Sequence, residues 1–419
     1  MPRVGLRAWG RALAFAGWLA LAAAPAPGAF AGISFGWGGD DDDHDVDAAA
    51  VSIGVGLLAD LMKKHHPYIE HEAIFQVASG ETDAQIAALE KRHHLTQLDA
   101  FTSTLTDTTL VLVRRPGRDT DALVKDLLAD PEVKTAQPNY LYAVAASGAP
   151  SPSPQYAVGV LQLGEAHAFA TGAGVTVSIV DTAVDEKHPE LQGAVADRFD
   201  AIGGSVGTRT HGTSIAGLIA AHASLVGTAP GVRLQTARAL DLNNGQSMNV
   251  LKAFHWAATH GARVVNMSIT GPRDEALIAQ LDAAVARGVV VVAAAGNNGP
   301  TSPPLYPAAD PAVIAVAATD AQGRLYPYDN VGPYIAVAAP GVDVLVAEPD
   351  GKYNNHVSGT SEAAAEVTGI VALMLQRHPR LTPDQVRAIL VSSGAPIPAT
   401  HGGFAPHLVN ALRAVQAGP

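Results

Sequence analysis

The sequence predicts an α/β protein: a doubly wound, mostly parallel sheet with helices on both faces, preceded by a small α+β domain. Three observations carry that prediction. At 419 residues the chain exceeds the usual size of one domain, so two globular units with appendages are expected. The polar stretch "ASGAPSPSPQ" at 146–155 has no periodic pattern and divides the chain as a hinge. Beyond it, near-continuous apolar runs alternate with amphipathic helical patterns, as in a parallel sheet covered on both faces.

Residues 1–31 read as an export signal. "MPRVGLRAWGR" is a basic start, "ALAFAGWLALAAA" an apolar core, and "AFA" a small-x-small cleavage site before Gly32. Pro25 and Pro27 end the apolar stretch too early for a bilayer span, and no second membrane segment follows. A secreted or periplasmic protein, free of the membrane after signal cleavage, is expected. Residues 32–62 form a Gly/Asp-rich linker whose run "DDDDHD" (Asp40 to Asp45) is solvated. Within 63–145, "EAIFQVA" reads as a strand and "ETDAQIAALEKRHH" as a helix with Ile86 and Leu89 on one face. "TTLVLVRR" is a strand, "DTDALVKDLLAD" a helix and "VKTAQPNYLYAV" a terminal strand. Residues 156–419 form the larger domain. Its strands are 175–180, 232–240, 263–269, 289–295 and 313–318, and its helices 213–222, 247–261 and 274–288. A long helix starts at Ser361. In the following "LTPDQVRAIL", Thr382 caps, Pro383 opens the first turn and Gln385 completes a capping box.

Composition excludes some functions. A net charge of -12 argues against nucleic acid as a partner. With no cysteine there is no disulfide framework, so a large core, drawn from 48% hydrophobic residues, must hold the fold. His65–His66 and His93–His94 lack a third clustered ligand, so no metal site is expected there.

Ligands bind open parallel sheets beyond the carboxyl ends of the strands. Asp181 ends the strand "VTVSIV", and His211 stands at the mouth of the helix "HGTSIAGLIAAH". Ser268 and Asn297 lie at or near two further strand ends, and Ser361 opens the last long helix. Each alone has a plain structural use as a turn or cap residue. Together they bring an acid, an imidazole, hydroxyls and an amide to one rim, which are the parts of an acyl-transfer site. A dinucleotide site is excluded, because the glycines of "TGAGVTV" precede their strand and a phosphate loop must follow one.

These stretches resemble the motifs of subtilisin-like serine proteases (subtilases) from about Tyr156 to the C-terminus. "VSIVDTAVDEKHPEL" resembles the aspartate motif, "HGTSIAG" the histidine motif and "SGTSEAAAEVTG" the serine motif, in the family's order. "VVNMSIT" resembles the substrate-binding strand and "AAAGNNG" the oxyanion segment. The resemblance implies an exported serine endopeptidase acting on extended peptide or protein. Ser361 would be the nucleophile, His211 the general base and acid, and Asp181 its orienting carboxylate. Asn297 and the Ser361 backbone N–H would receive the oxyanion. Ser268, Ile269, Thr270, Ala294, Ala295 and Gly296 would line the substrate. Residues 63–145 resemble an inhibitory pro-domain, a partner in cis removed on maturation. A weakened or silent peptide-binding homologue is the alternative.

Four departures from the family pattern set further expectations. Ala183 replaces a usual Gly, which is tolerable where the backbone needs no positive φ. "AAHASLVGTAPG" is shorter than a loop that often holds calcium, so no cofactor, structural calcium included, is expected. Thr270 replaces a Gly and should narrow the specificity pocket. Glu362 follows Ser361 where methionine is usual, with Ala365 in place of a proline. Glu362 is expected to be partly exposed, complementing the helix dipole by about 0.3–1 kcal/mol.

Overall fold

The computed structural model describes residues 67–418, apart from 145–146, 149–154, 243 and 399–402. The expected signal peptide, acidic linker and most of the hinge lie outside the described residues.

In the main sheet Val195–Asp200, Arg233–Arg238, Thr176–Asp181, Val264–Met267, Val290–Ala294, Ile314–Thr319, Ile335–Pro340 and His407–Leu408 lie side by side and parallel. Ala395–Pro396 closes one edge antiparallel. Alternate residues of a strand face opposite sides of the sheet. Val290, Val292 and Ala294 therefore enter one core layer, under helices Thr210–Ala220 and Thr360–Arg377. Val291, Ala293 and Ala295 enter the other, under Ser247–Thr259 and Glu275–Ala286. The two-sided cover explains the continuous apolar strands. From Thr176–Asp181 the chain first builds one side of the sheet, then crosses to Val264–Met267 and builds the other. That reversal opens a crevice at the carboxyl ends of these two strands.

The capping box at Thr382 and Gln385 is present. Several strands were not foreseen, among them Ile335–Pro340 of the main sheet and two at sheet edges. Thr96–Ser103 and Val195–Asp200 are edge strands with mostly exposed or half-exposed residues, so no apolar run announces them.

Ahead of the main sheet, Thr96–Ser103, Thr108–Arg114, Tyr68–Ala78 and Thr135–Val144 form an antiparallel sheet. On one face Ala73, Phe75, Val77, Val111 and Val113 pack with Ile86 and Leu89 of helix Asp83–His93 and Leu123 and Leu127 of helix Thr120–Leu128. On the other, Ile74, Leu110 and Leu112 join the core layer that holds Leu251 and Phe254. The small sheet is thus buried against the larger domain. Its last strand runs on between two strands of that domain. Leu141, Tyr142 and Ala143 pair antiparallel with Gln246, Gly245 and Asn244, while Ala143 and Val144 pair with Thr270 and Ile269. Beyond, Ser147–Gly148 pairs with Val357–Ser358, just ahead of Ser361.

Candidate active site

Asp181 is fully buried at its strand end, and its Oδ1 lies 2.7 Å from His211 Nδ1. An ionised carboxylate can only accept, so Nδ1 carries the hydrogen and, in the neutral ring, Nε2 is left as a base. The same Oδ1 accepts from the Thr182 N–H at 2.6 Å. The His211 helix approaches this strand end closely because the next residue is glycine. A Cβ on Gly212 would lie 2.5 Å from the Ala183 carbonyl oxygen. Instead the Gly212 N–H donates to Thr182 Oγ1 at 2.9 Å. Ala183 is not among the residues with positive φ, so its replacement of a glycine costs no strain.

Ser361 is the second residue of helix Thr360–Arg377 and is fully buried. Ser268 clasps it: Ser268 Oγ donates to the Ser361 carbonyl at 3.0 Å, and Ser361 Oγ donates to the Ser268 carbonyl at 3.2 Å. Among the described residues, the buried His211 Nε2 has no hydrogen-bond partner. The serine hydroxyl is therefore parked on Ser268 and not on the imidazole. Asn297 Oδ1 accepts from the Thr360 N–H at 3.1 Å and from Thr360 Oγ1 at 3.0 Å. Those bonds orient the amide and leave Nδ2 buried without a partner among the described residues. Thr360 was not singled out in the sequence; its place between Gly359 and Ser361 is the only signal that could have found it.

Glu362 departs from expectation. It is fully buried, and neither carboxylate oxygen has a hydrogen-bond partner among the described residues. The reason is the course of its helix: every residue from Thr360 to Leu375 is buried, so even the first turn lies inside. Burial first of all pushes its carboxyl up to about 7, with Asp181 adding to the rise and His211 opposing it. Burial alone would lower the His211 pKa, but the charge and hydrogen bond of Asp181, and then the charge of Glu362, leave it raised. Glu362→Gln removes one raising charge, so the acidic limb of kcat/KM is expected at lower pH, as a pH–rate profile would show. A second sign follows. The folded pKa of Glu362 lies above its ordinary value of 4.5, so its contribution to stability is complete below that value and is lost as pH rises through about 7. The substitution should therefore raise the Tm at pH above about 8 and change it little below pH 5.

Of the expected substrate-lining residues, Ser268, Ile269 and Thr270 are buried along the strand that pairs with Ala143 and Val144. The side chains of Ala294 and Ala295 enter opposite core layers, leaving only their backbone toward the rim. Gly296, at φ 110°, donates its N–H to Thr360 Oγ1 at 3.0 Å. The second wall, Asn244–Gln246, escaped the sequence reading because three polar and small residues carry no strand pattern.

The short loop after helix Thr210–Ala220 closes on Glu190. Its carboxylate accepts from the N–H groups of Ala223 (2.9 Å), Ser224 (2.9 Å) and Leu225 (3.1 Å) and from the Tyr353 hydroxyl (2.9 Å). Burial works against the charge, but these donors outweigh it and hold the Glu190 pKa below its ordinary value. These four bonds hold the loop closed on Glu190. EDTA is accordingly expected to leave activity and Tm unchanged; a loss of both that calcium restores would overturn this.

The sequence profile of the subtilase family matches residues 172–408. Subtilisin NAT from Bacillus subtilis subsp. natto is 34% identical over 281 residues, covering 64% of this chain and 72% of that protein. Subtilisin DY from Bacillus licheniformis is 37% identical over 232 residues, covering 53% of this chain and 84% of that protein. Among solved structures, the chain resembles fervidolysin from Fervidobacterium pennivorans, a keratinolytic enzyme related to subtilisin, with a TM-score of 0.71 and 24% identity. That match covers 84% of this chain and 61% of fervidolysin, so the chain spans about three fifths of that protein's length. The likeness bears on the fold.

Proposed function

This chain belongs to the subtilase family of serine-type endopeptidases, and on that premise we propose that it cuts extended peptide through Ser361, His211 and Asp181. The observation that carries the reading is the buried Asp181–His211 bond of 2.7 Å, beside which His211 Nε2 and Asn297 Nδ2 are both left free. Rotation about its single side-chain torsion would free Ser361 Oγ from Ser268 to reach the imidazole. Oγ attacks the scissile carbonyl carbon as its proton passes to His211 Nε2. The oxyanion is received by Asn297 Nδ2 and by the Ser361 N–H, a first-turn donor with no intrahelical acceptor. Collapse expels the amine, which takes the proton from His211. Water, deprotonated by the same nitrogen, then releases the acid. Substrate backbone adds as a strand beside Ile269–Thr270.

Residues 63–145 act in this reading as a pro-domain, with the protein exported by its first 31 residues. The support for the pro-domain is the strand Thr135–Val144, which already fills the groove between Asn244–Gln246 and Ile269–Thr270. Because Val144 pairs on one side of the serine and Ser147 on the other, self-processing is assigned to the bonds between those two residues. Among the described residues no helix is long and apolar enough to cross a membrane.

A second reading is favoured by the parked serine and the buried Glu362 carboxylate, which would oppose an oxyanion: a family member that binds peptide and turns it over slowly or not at all. A fluorophosphonate probe separates the two. Labelling of Ser361 in the wild type, lost in His211→Ala, is expected for the protease. An unlabelled serine in the processed protein would favour the second.

A further inference from the structure

Tyr142 is fully buried in the strand that enters the groove. Its ring packs against Gly271, where a Cβ would stand 2.5 Å from ring atom Cδ1, so only glycine leaves room for it. Its hydroxyl donates to Asp274 Oδ2 at 3.1 Å. Asp274 is itself fully buried and caps helix Glu275–Ala286. Its Oδ1 accepts from the Leu277 N–H at 2.9 Å and from Gln137 Nε2 at 2.7 Å, and its Oδ2 accepts from the Ser247 hydroxyl as well as from Tyr142. These donors fill the roughly four acceptor positions of an ionised carboxylate. Ser247 and Leu277 belong to the larger domain and remain with it. Gln137 and Tyr142 come from the small one.

We propose that Gly271, Ser247 and Asp274 form a tyrosine-selective subsite of the substrate groove, filled here by the chain's own Tyr142 and taking a tyrosyl side chain of the substrate once that segment leaves. The proposal rests on the protease reading above. Departure of the segment vacates two acceptor positions of this carboxylate, and a substrate strand that buries it again without supplying a donor incurs the cost of an unsatisfied buried acceptor. The complementary side chain must be flat and apolar where it meets Gly271 and must end in a donor at Asp274. Tyrosine meets both conditions. Phenylalanine fills the space but brings no donor, and lysine brings a donor without the flat ring. A site built to bond a substrate hydroxyl discriminates strongly against the analogue that lacks it. Tyr142 also lies on the path a substrate strand would follow, opposite Gly245 and adjoining the residue that pairs with Thr270.

The test compares two peptides as substrates of the processed protein. One copies residues 139–148, Asn-Tyr-Leu-Tyr-Ala-Val-Ala-Ala-Ser-Gly. The other carries phenylalanine at the position of Tyr142. The tyrosine peptide should be favoured in kcat/KM by roughly ten- to a hundredfold, the effect of one hydrogen bond to a charged group. In Asp274→Ser, which keeps a cap for Leu277 but loses the second oxygen, the preference should collapse toward unity. Equal cleavage of both peptides by the wild type overturns the subsite and leaves the protease reading standing. A preference that persists in Asp274→Ser removes Asp274 as its source and also overturns the proposal. Cleavage of neither peptide would fell the protease reading itself.

Discussion

Ser361→Ala should lower kcat for peptide hydrolysis by on the order of a millionfold, the loss known for the serine of subtilisin. The substitution removes one oxygen from a fully buried position whose only side-chain bond among the described residues is to the Ser268 carbonyl. The reciprocal bond, from Ser268 Oγ to the Ser361 carbonyl, is untouched. Tm and the far-UV spectrum should therefore stay near wild type. The same variant tests maturation. If the chain cuts itself between Val144 and Ser147, wild type should yield an N-terminus within that stretch and Ser361→Ala should remain joined through it. Identical mature N-termini in both proteins would assign the cut to another protease. Retention of more than trace hydrolysis would mean a different nucleophile.

Asn297→Ala should lower kcat by roughly 100- to 1,000-fold, the magnitude known for one such donor in subtilisin, with KM nearly unchanged. The split between the two constants is the informative part. A donor aimed where charge develops stabilises the transition state, not the bound substrate, so kcat and kcat/KM fall together. The position is prepared in advance: Thr360 holds Asn297 Oδ1 from two sides, which leaves Nδ2 without a partner until the oxyanion forms. Thr360→Val deletes the hydroxyl's bond to Asn297 Oδ1 and the bond it accepts from the Gly296 N–H, keeps the backbone bond to Asn297, and should give a smaller loss of kcat in the same direction. A rise in KM with kcat preserved in Asn297→Ala would instead make this residue a contact for the ground-state substrate.

The site was legible where chemistry coincides with topology. Asp181 ends an apolar strand, and His211 and Ser361 open helices, so their rim position follows from local pattern alone. Asn297 was legible because it follows the valine run at 289–292. Glu362 was not. Its place in a first turn suggested exposure, and only the burial of the whole helix from Thr360 to Leu375 puts its carboxylate inside, unpaired and drawn up to about 7. The polar walls and edges were equally silent. Asn244–Gln246 and Val195–Asp200 are held by pairing with neighbours distant in sequence, which no local period records, while Thr96–Ser103 is the mostly exposed edge arm of a hairpin with Thr108–Arg114 and carries no apolar run.

By itself the sequence determined the two-sided parallel sheet, since a strand buried on both faces must be apolar throughout. It likewise determined which reactive side chains share the sheet's carboxyl edge, since a residue at a strand end or in a helix's first turn has little choice of place. The tertiary structure alone decided which atoms face one another. It alone parks Ser361 Oγ on Ser268, frees Asn297 Nδ2 by occupying its oxygen with Thr360, and brings Tyr142 to Asp274 across 132 residues of chain. Each of those contacts depends on packing between segments far apart in the chain, and the energy of an unpaired or satisfied buried polar group is set there.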